Sequence, residues 1–158
     1  MDNRTWFKQA GYGMMAHWGL YSLLAGEYRG RRVNDYAEWI QSFMPIPNAE
    51  YEQLAKCFNP VYFNADEWIS LAKDAGMKYF VFTSKHHDGF ALFHSKADAF
   101  NVVDATPFKR DVVVQENISR VIILLFSCQE TEKNHGMNLV LQFKHQEDKL
   151  QYIQMVYL

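Results

Sequence analysis

Apolar positions along the chain change their spacing several times, and each spacing predicts an element. Tyr51, Leu54, Ala55 and Phe58 fall at i, i+3, i+4 and i+7, which gives a short helix one apolar stripe, and Asn48 after Pro47 stands where a cap belongs. A better-marked helix follows. Asn64 is placed to cap it, Glu67 stands three residues on as in a capping box, and Trp68, Ile69, Leu71, Ala72 and Ala75 make one face before Gly76 ends it. Directly afterwards, Tyr79 to Thr83 is a continuous run of β-branched and aromatic residues, which suits a strand covered on both faces in a parallel sheet. Helix, glycine and buried strand in that order is the grammar of an α/β domain.

Tyr12 to Ala16 is a shorter apolar run that ends at His17-Trp18-Gly19 and reads as a first strand. Trp18 to Pro47 is rich in Gly, Arg and aromatic residues without clear periodicity, so it is expected to be a long loop, and long loops in compact domains are usually functional. Past Asp111 the pattern changes. Val112 to Phe126 is mostly apolar, Gln129 to Asn138 polar, Leu139 to Phe143 a further strand, and His145 to Leu158 a helix. No internal repeat or low-complexity segment interrupts the chain.

The 158 residues are 49% hydrophobic and 22% charged, the balance of one globular domain. Sixteen Lys and Arg against eighteen Asp and Glu leave no basic excess for a phosphate backbone, so nucleic acid is not an expected partner. The longest apolar run, Val121 to Phe126, is far short of the roughly 20 residues of a membrane span, so no membrane partner is expected either. The first residues lack the apolar stretch of a secretory signal, so the chain as written is expected to be cytoplasmic or already processed. Cys57 and Cys128 lack Cys-x-x-Cys spacing and are expected to be reduced and partly buried.

Candidate chemistry gathers at strand ends. His17 closes the first strand and Lys85-His86-His87-Asp88-Gly89-Phe90 closes the second, and ligands of parallel α/β folds bind at the carboxyl ends of strands. Strand side chains alternate between faces, so His86 and His87 serve one pocket only where the chain is already turning, and Gly89 supplies a turn residue. Neutral imidazoles both donate and accept hydrogen bonds, which fits a hydroxylated ligand. Each histidine alone reads as a satisfied structural residue; adjacent histidines mirrored at a neighbouring strand end favour a site. A metal centre is the weaker reading, because no His-x-His, Glu-x-x-His or His-Glu-x-x-His pattern occurs, and no metal or cofactor is expected. Glu38-Trp39 pairs a carboxylate with a flat ring, the two groups that commonly grip a sugar; alone, they read as a solvated charge and a core anchor. Trp6, Trp18 and Trp68 are expected to pack, and His94 and Lys96 to lie on the surface.

Taken together, the segments resemble the N-terminal part of the retaining α-L-fucosidase family of glycoside hydrolases. The resemblance rests on Trp6-Phe7, Gly13 to Gly19, Tyr21-Ser22, Gly26-Glu27-Tyr28, Glu38-Trp39, Phe58-Asn59-Pro60, Asp66-Glu67-Trp68 and Ala75 to Tyr79. It continues through Thr83, the highly specific block Lys85 to Phe90, Thr106-Pro107 and Arg110-Asp111, and covers about residues 5 to 115. It implies a fold of class α/β, a partial (β/α)8 TIM-type barrel of about the first three βα units. In that reading residues 1–115 are the N-terminal part of the catalytic barrel, and 116–158 a diverged or disrupted continuation that stops before the fourth strand.

The resemblance also implies roles. His17, Glu38, His86 and His87 match positions that hydrogen-bond the hydroxyls of a fucosyl unit, and Trp39 matches an aromatic that shapes the same pocket, so the implied partner is a fucosylated oligosaccharide or glycoconjugate. Such enzymes need two carboxyl groups about 5–5.5 Å apart, a nucleophile and an acid/base. The family carries both beyond the segments matched here, and a barrel typically needs about 250 residues, so the chain is expected to be catalytically incomplete. A non-catalytic fucose-binding remnant or a degraded gene product is the alternative. An unclosed barrel edge at the third strand is expected to drive self-association. The family is commonly exported, unlike a chain without a signal.

Overall fold

The computed structural model describes the backbone of residues 3–113, 122–127, 138–143 and 151–156, and side-chain surroundings for residue 5 and residues 7–113. Its centre is a parallel three-stranded sheet in the order β1 (Met14–Ala16), β4 (Tyr79–Lys85), β5 (Ile122–Ser127), flanked by helices and turns, which makes the chain mixed α/β.

After helix α1 (Asn3–Ala10), strand β1 (Met14–Ala16) pairs with β4 in the register Met14↔Phe80, Met15↔Val81, Ala16↔Phe82. The strand is shorter than its apolar run. Gly13 precedes it because the ring of Tyr79 lies against the backbone there: a Cβ would sit 2.3 Å from that ring.

The stretch expected as a long loop folds into short elements. Helix α2 (Tyr21–Leu24) leads into a hairpin of β2 (Glu27–Tyr28) and β3 (Arg31–Arg32). Its two turn residues, Arg29 at φ +49° and Gly30 at φ +73°, both take the left-handed conformation that such a tight hairpin requires. Glu50 anchors this hairpin, accepting from Tyr28 Oη at 2.9 Å and pairing with Arg29 at 3.0 Å. A 3-10 turn, Ala37–Trp39, then runs into helix α3 (Ile40–Phe43).

The expected helix after Pro47 is split, with α4 (Asn48–Tyr51) continuing as 3-10 turns over Glu52–Cys57. Its apolar stripe still turns inward at Tyr51, Ala55 and Phe58. Pro47, not Asn48, holds the cap position, and Asn48 Oδ1 instead accepts from Gln41 Nε2 at 3.1 Å. Cys57 is exposed rather than partly buried, lying off that stripe; Cys128 is outside the described residues.

Helix α5 (Ala65–Asp74) is capped as the sequence predicts: Asn64 Oδ1 accepts from the Asp66 N–H at 3.0 Å. Glu67 does not complete a capping box, since it accepts from the Asn64 side chain at 3.1 Å. At the other end Gly76 (φ +77°) and Met77 donate to Lys73 O and Ala72 O at 2.9 and 3.0 Å, a paired C-terminal closure that glycine permits. The buried face differs by its phase. Ala65, Trp68, Ile69 and Ala72 form the i, i+3, i+4, i+7 stripe, which leaves Leu71 65% exposed and Ala75 exposed beyond the last helical residue.

Strand β4 (Tyr79–Lys85) is the middle strand and pairs in parallel with β5 (Ile122–Ser127). Phe80, Phe82 and Ser84 are buried on one face; on the other Thr83 is buried, and Tyr79 and Val81 are half-buried. Cover on both faces is therefore complete only toward the carboxyl end. Phe80 and Phe82 enter a core with Leu20, Ile40, Tyr51, Phe58 and Leu92. Trp18 and Trp68 pack against each other and Phe63 at 4.8–5.5 Å between ring centroids, the packing role expected of them. Trp6 falls outside the described side chains.

Strand β6 (Asn138–Phe143) forms where a strand was expected. The expected helix from His145 to Leu158 is corrected: Gln151–Val156 is strand β7, antiparallel to β6 over six residue pairs, and 144–150 and 157–158 lie outside the described residues. Tyr152, Ile153 and Val156 suit a strand, and pairing with β6 satisfies backbone groups that a capless helix would leave open. β6 packs against β5 without joining its sheet. Both edge strands of the central sheet, β1 and β5, lack a further hydrogen-bonded strand among the described residues, and Met15 of β1 is 54% exposed. Among the described residues no helix is long and apolar enough to cross a membrane.

Candidate functional site

Parallel register brings the first two histidines together. Because Ala16 lies opposite Phe82, His17 emerges beside Thr83, and their Nδ1 and Oγ1 atoms are 2.8 Å apart. His86 follows β4 directly, and its ring meets that of His17 edge-on at 5.2 Å between centroids. The chain then turns: Gly89, at φ +79°, donates to His86 O at 3.0 Å, and Phe90 N–H donates to Asp88 Oδ1 at 3.1 Å. That turn defeats strand alternation, and His86 and His87 lie 4.8 Å apart in the same cluster.

Trp39 arrives from the 3-10 turn. It stacks on His87 at 4.4 Å with an interplanar angle of 3° and meets His86 edge-on at 5.2 Å. His87 is fully engaged: Nε2 lies 3.0 Å from the carbonyl oxygen of Glu38, and Nδ1 lies 3.2 Å from Ser42 Oγ. A carbonyl only accepts, so Nε2 carries the proton and Nδ1 accepts from the serine hydroxyl. The half-buried Glu38 thus holds His87 through its backbone, while its carboxylate makes no hydrogen bond among the described residues.

His86 is 4% exposed, and its Nδ1 has no hydrogen-bond partner. Burial, followed by the neighbouring imidazoles of His87 and His17, pushes its pKa down to about 3, so the ring is neutral at ordinary pH. Tyr21 stands 5.5 Å from the His86 ring with its own buried hydroxyl unpartnered. Burial raises the Tyr21 phenol well above its usual range, and the negative charges of Asp88 and Glu38 add to this. Asp88 accepts from Tyr51 Oη at 2.7 Å; burial raises its carboxyl, against the lowering effect of that hydrogen bond.

A cavity of about 390 Å³ opens at the Ser42 edge of His87, bordered also by Gln41, Asn48, Tyr51, Asp88 and Asp98. His94 and Lys96 are exposed, as expected, and His94 pairs with Asp104 at 3.6 Å. Among the described residues no three His, Cys, Asp or Glu side chains are grouped to hold a metal ion.

The structure therefore collects His17, Glu38, Trp39, His86 and His87 in one place. Sequence reasoning missed Thr83, Ser42 and Tyr21 as neighbours of those rings. Tyr21 carried a readable signal, standing four residues past His17 in the same motif; the Thr83 contact follows only from strand register.

One buried neutral imidazole, two further imidazoles, a carboxylate unpaired among the described residues and an indole gather at the carboxyl ends of adjacent parallel strands, the end at which α/β folds bind small ligands. The sequence profile of the family Alpha-L-fucosidase matches residues 1–153, and the chain belongs to that family. Plasma alpha-L-fucosidase of Homo sapiens is 34% identical over 123 residues, which are 73% of this chain and 26% of the relative. Among solved structures, alpha-L-fucosidase AlfC from Lactobacillus casei in complex with alpha-L-fucose product is 55% identical with a TM-score of 0.75, covering 82% of this chain and 41% of that one. A variant of AlfC in complex with Fuca(1,6)GlcNAc is 57% identical with a TM-score of 0.76 over the same shares. The chain thus spans about a quarter of the length of the curated relative and about two fifths of the solved chain.

Proposed function

We propose that these residues form the fucosyl-binding wall of a retaining α-L-fucosidase, an enzyme that hydrolyses terminal α-L-fucosyl linkages of glycans. Residues 1–115 are the first part of its (β/α)8 barrel and 116–158 a diverged continuation. His17 and His86 offer imidazole nitrogens to sugar hydroxyls, Glu38 offers its carboxylate, and Trp39 an apolar face, which His87 keeps in place by stacking. The single observation that carries this reading is the convergence of three distant segments on one strand-end cluster. The fucose and Fuca(1,6)GlcNAc complexes of a relative more than half identical support the choice of sugar.

The retaining reaction needs a nucleophilic carboxylate and a second carboxyl as acid then base, about 5–5.5 Å apart. Asp88 does not suit attack, because Tyr51 and the Phe90 N–H engage both of its oxygens. The Glu38 carboxylate makes no hydrogen bond among the described residues, and the engaged Asp88 does not serve as its partner carboxyl. We therefore place the nucleophile and acid/base outside this cluster and, as the family resemblance implies, beyond these 158 residues. The test is release of the aryl alcohol from an aryl α-L-fucoside by the folded chain, with circular dichroism as the check on folding. The expected rate equals that of a Glu38→Gln, Asp88→Asn control; turnover above the control overturns the assignment.

A further inference from the structure

We infer that Thr83 is a positioning residue that fixes the tautomer of His17, so that His17 presents an N–H donor at Nε2 to an oxygen of the bound sugar. Thr83 is 1% exposed, in the middle strand between β1 and β5. Its hydroxyl hydrogen needs an acceptor, and among the described residues the one partner of Oγ1 is His17 Nδ1, 2.8 Å away. Two arrangements share that distance. If Nδ1–H donated to Oγ1, the hydroxyl hydrogen would be buried without an acceptor, a loss of about 1–3 kcal/mol. If the hydroxyl donates, nothing is left unsatisfied, and the ring proton resides on Nε2.

His17 is exposed, and its Nε2 makes no hydrogen bond among the described residues, so that N–H faces outward. The site then has a fixed polarity. His17 donates, the Glu38 carboxylate accepts, and a sugar oxygen near His17 is read through its lone pair. Ser42 and the Glu38 carbonyl set the proton of His87 in the same manner, which leaves His17 as the imidazole whose donor is both fixed and open.

This inference deepens the fucosyl-binding reading, but the tautomer can be measured without any sugar. Long-range 1H-15N correlation spectra of the uniformly 15N-labelled chain, with His17 assigned by a His17→Gln variant, report which ring nitrogen is protonated. The wild type is expected to show Nε2–H alone, Thr83→Ser the same pattern, and Thr83→Val a mixture of tautomers with about tenfold weaker binding of L-fucose. An Nδ1–H pattern in the wild type overturns the inference even where Thr83→Val does not fold, as does a folded Thr83→Val that keeps wild-type tautomer and affinity. Nε2–H in the wild type and mixed tautomers in Thr83→Val, with no fucose bound by either, uphold the role of Thr83 and contradict the sugar assignment alone.

Discussion

Replacing His86 by Asn tests the energetics of the site through pH. The buried imidazole stays neutral in the fold down to about pH 3, whereas in the unfolded chain it takes up a proton near 6.5. Below 6.5 the unfolded state therefore binds more protons, and stability fully present above that pH is lost as pH falls toward 3. Between pH 6.5 and 4.5 the loss from this one group is about 2 kcal/mol, at 1.36 kcal/mol per unit once the unfolded imidazole is mostly protonated. Asp88, whose carboxyl burial raises, acts with the opposite sign above 3.8, where the fold holds its proton longer than the unfolded chain does. It is common to both proteins and cancels in their comparison. Urea unfolding of wild type and His86→Asn at pH 6.5, 5.5 and 4.5 is the assay. The wild type should lose about 2 kcal/mol more than the variant across the interval. Parallel losses would refute the reasoning, because they would mean that the ring protonates as freely in the fold as in water.

Other perturbations separate the remaining contacts. Tyr51→Phe removes the 2.7 Å hydrogen bond to Asp88 and should cost about 1.5–3 kcal/mol in thermal denaturation at pH 7, the range for bonds to charged groups; an unchanged melting temperature would contradict that bond. Gly13→Ala places a methyl 2.3 Å from the Tyr79 ring and should destabilise by about 1–3 kcal/mol, with recovery in a Gly13→Ala, Tyr79→Ala double variant. Among the described residues the central sheet is open at β5, the third-strand edge expected to self-associate, and also at β1, where Met15→Lys should weaken self-association because charge blunts an exposed strand; sedimentation velocity showing the same distribution for both proteins would place the contact at the β5 edge.

Local patterns carried much of the fold. The cap at Asn64, the glycine closure at Gly76 and the apolar run after it were legible, because each depends on neighbours a few residues away. The phase of the α5 stripe was harder to read. Leu71 extends an apolar cluster in sequence, yet the packing stripe starts from Ala65, and only the surrounding sheet decides between them. β7 was hidden because a strand of mixed apolar and polar residues takes its stability from a partner, here β6. The clustering of His17, Glu38, Trp39, His86 and His87 was legible from strand ends and from the family resemblance, whereas their hydrogen-bond polarity was not. That depends on Thr83 meeting His17 across 66 residues of sequence, and on His87 using both nitrogens internally.

Recognition of fucose by the wall is the claim on which the rest turns. Imidazole resonances of the labelled 158-residue chain, followed during titration with L-fucose and separately with its enantiomer D-fucose, test it directly. Saturable shifts of His17 and His86 with L-fucose, and none with D-fucose, are the predicted result. Resonances that stay fixed, or that move equally with both enantiomers, would contradict the account.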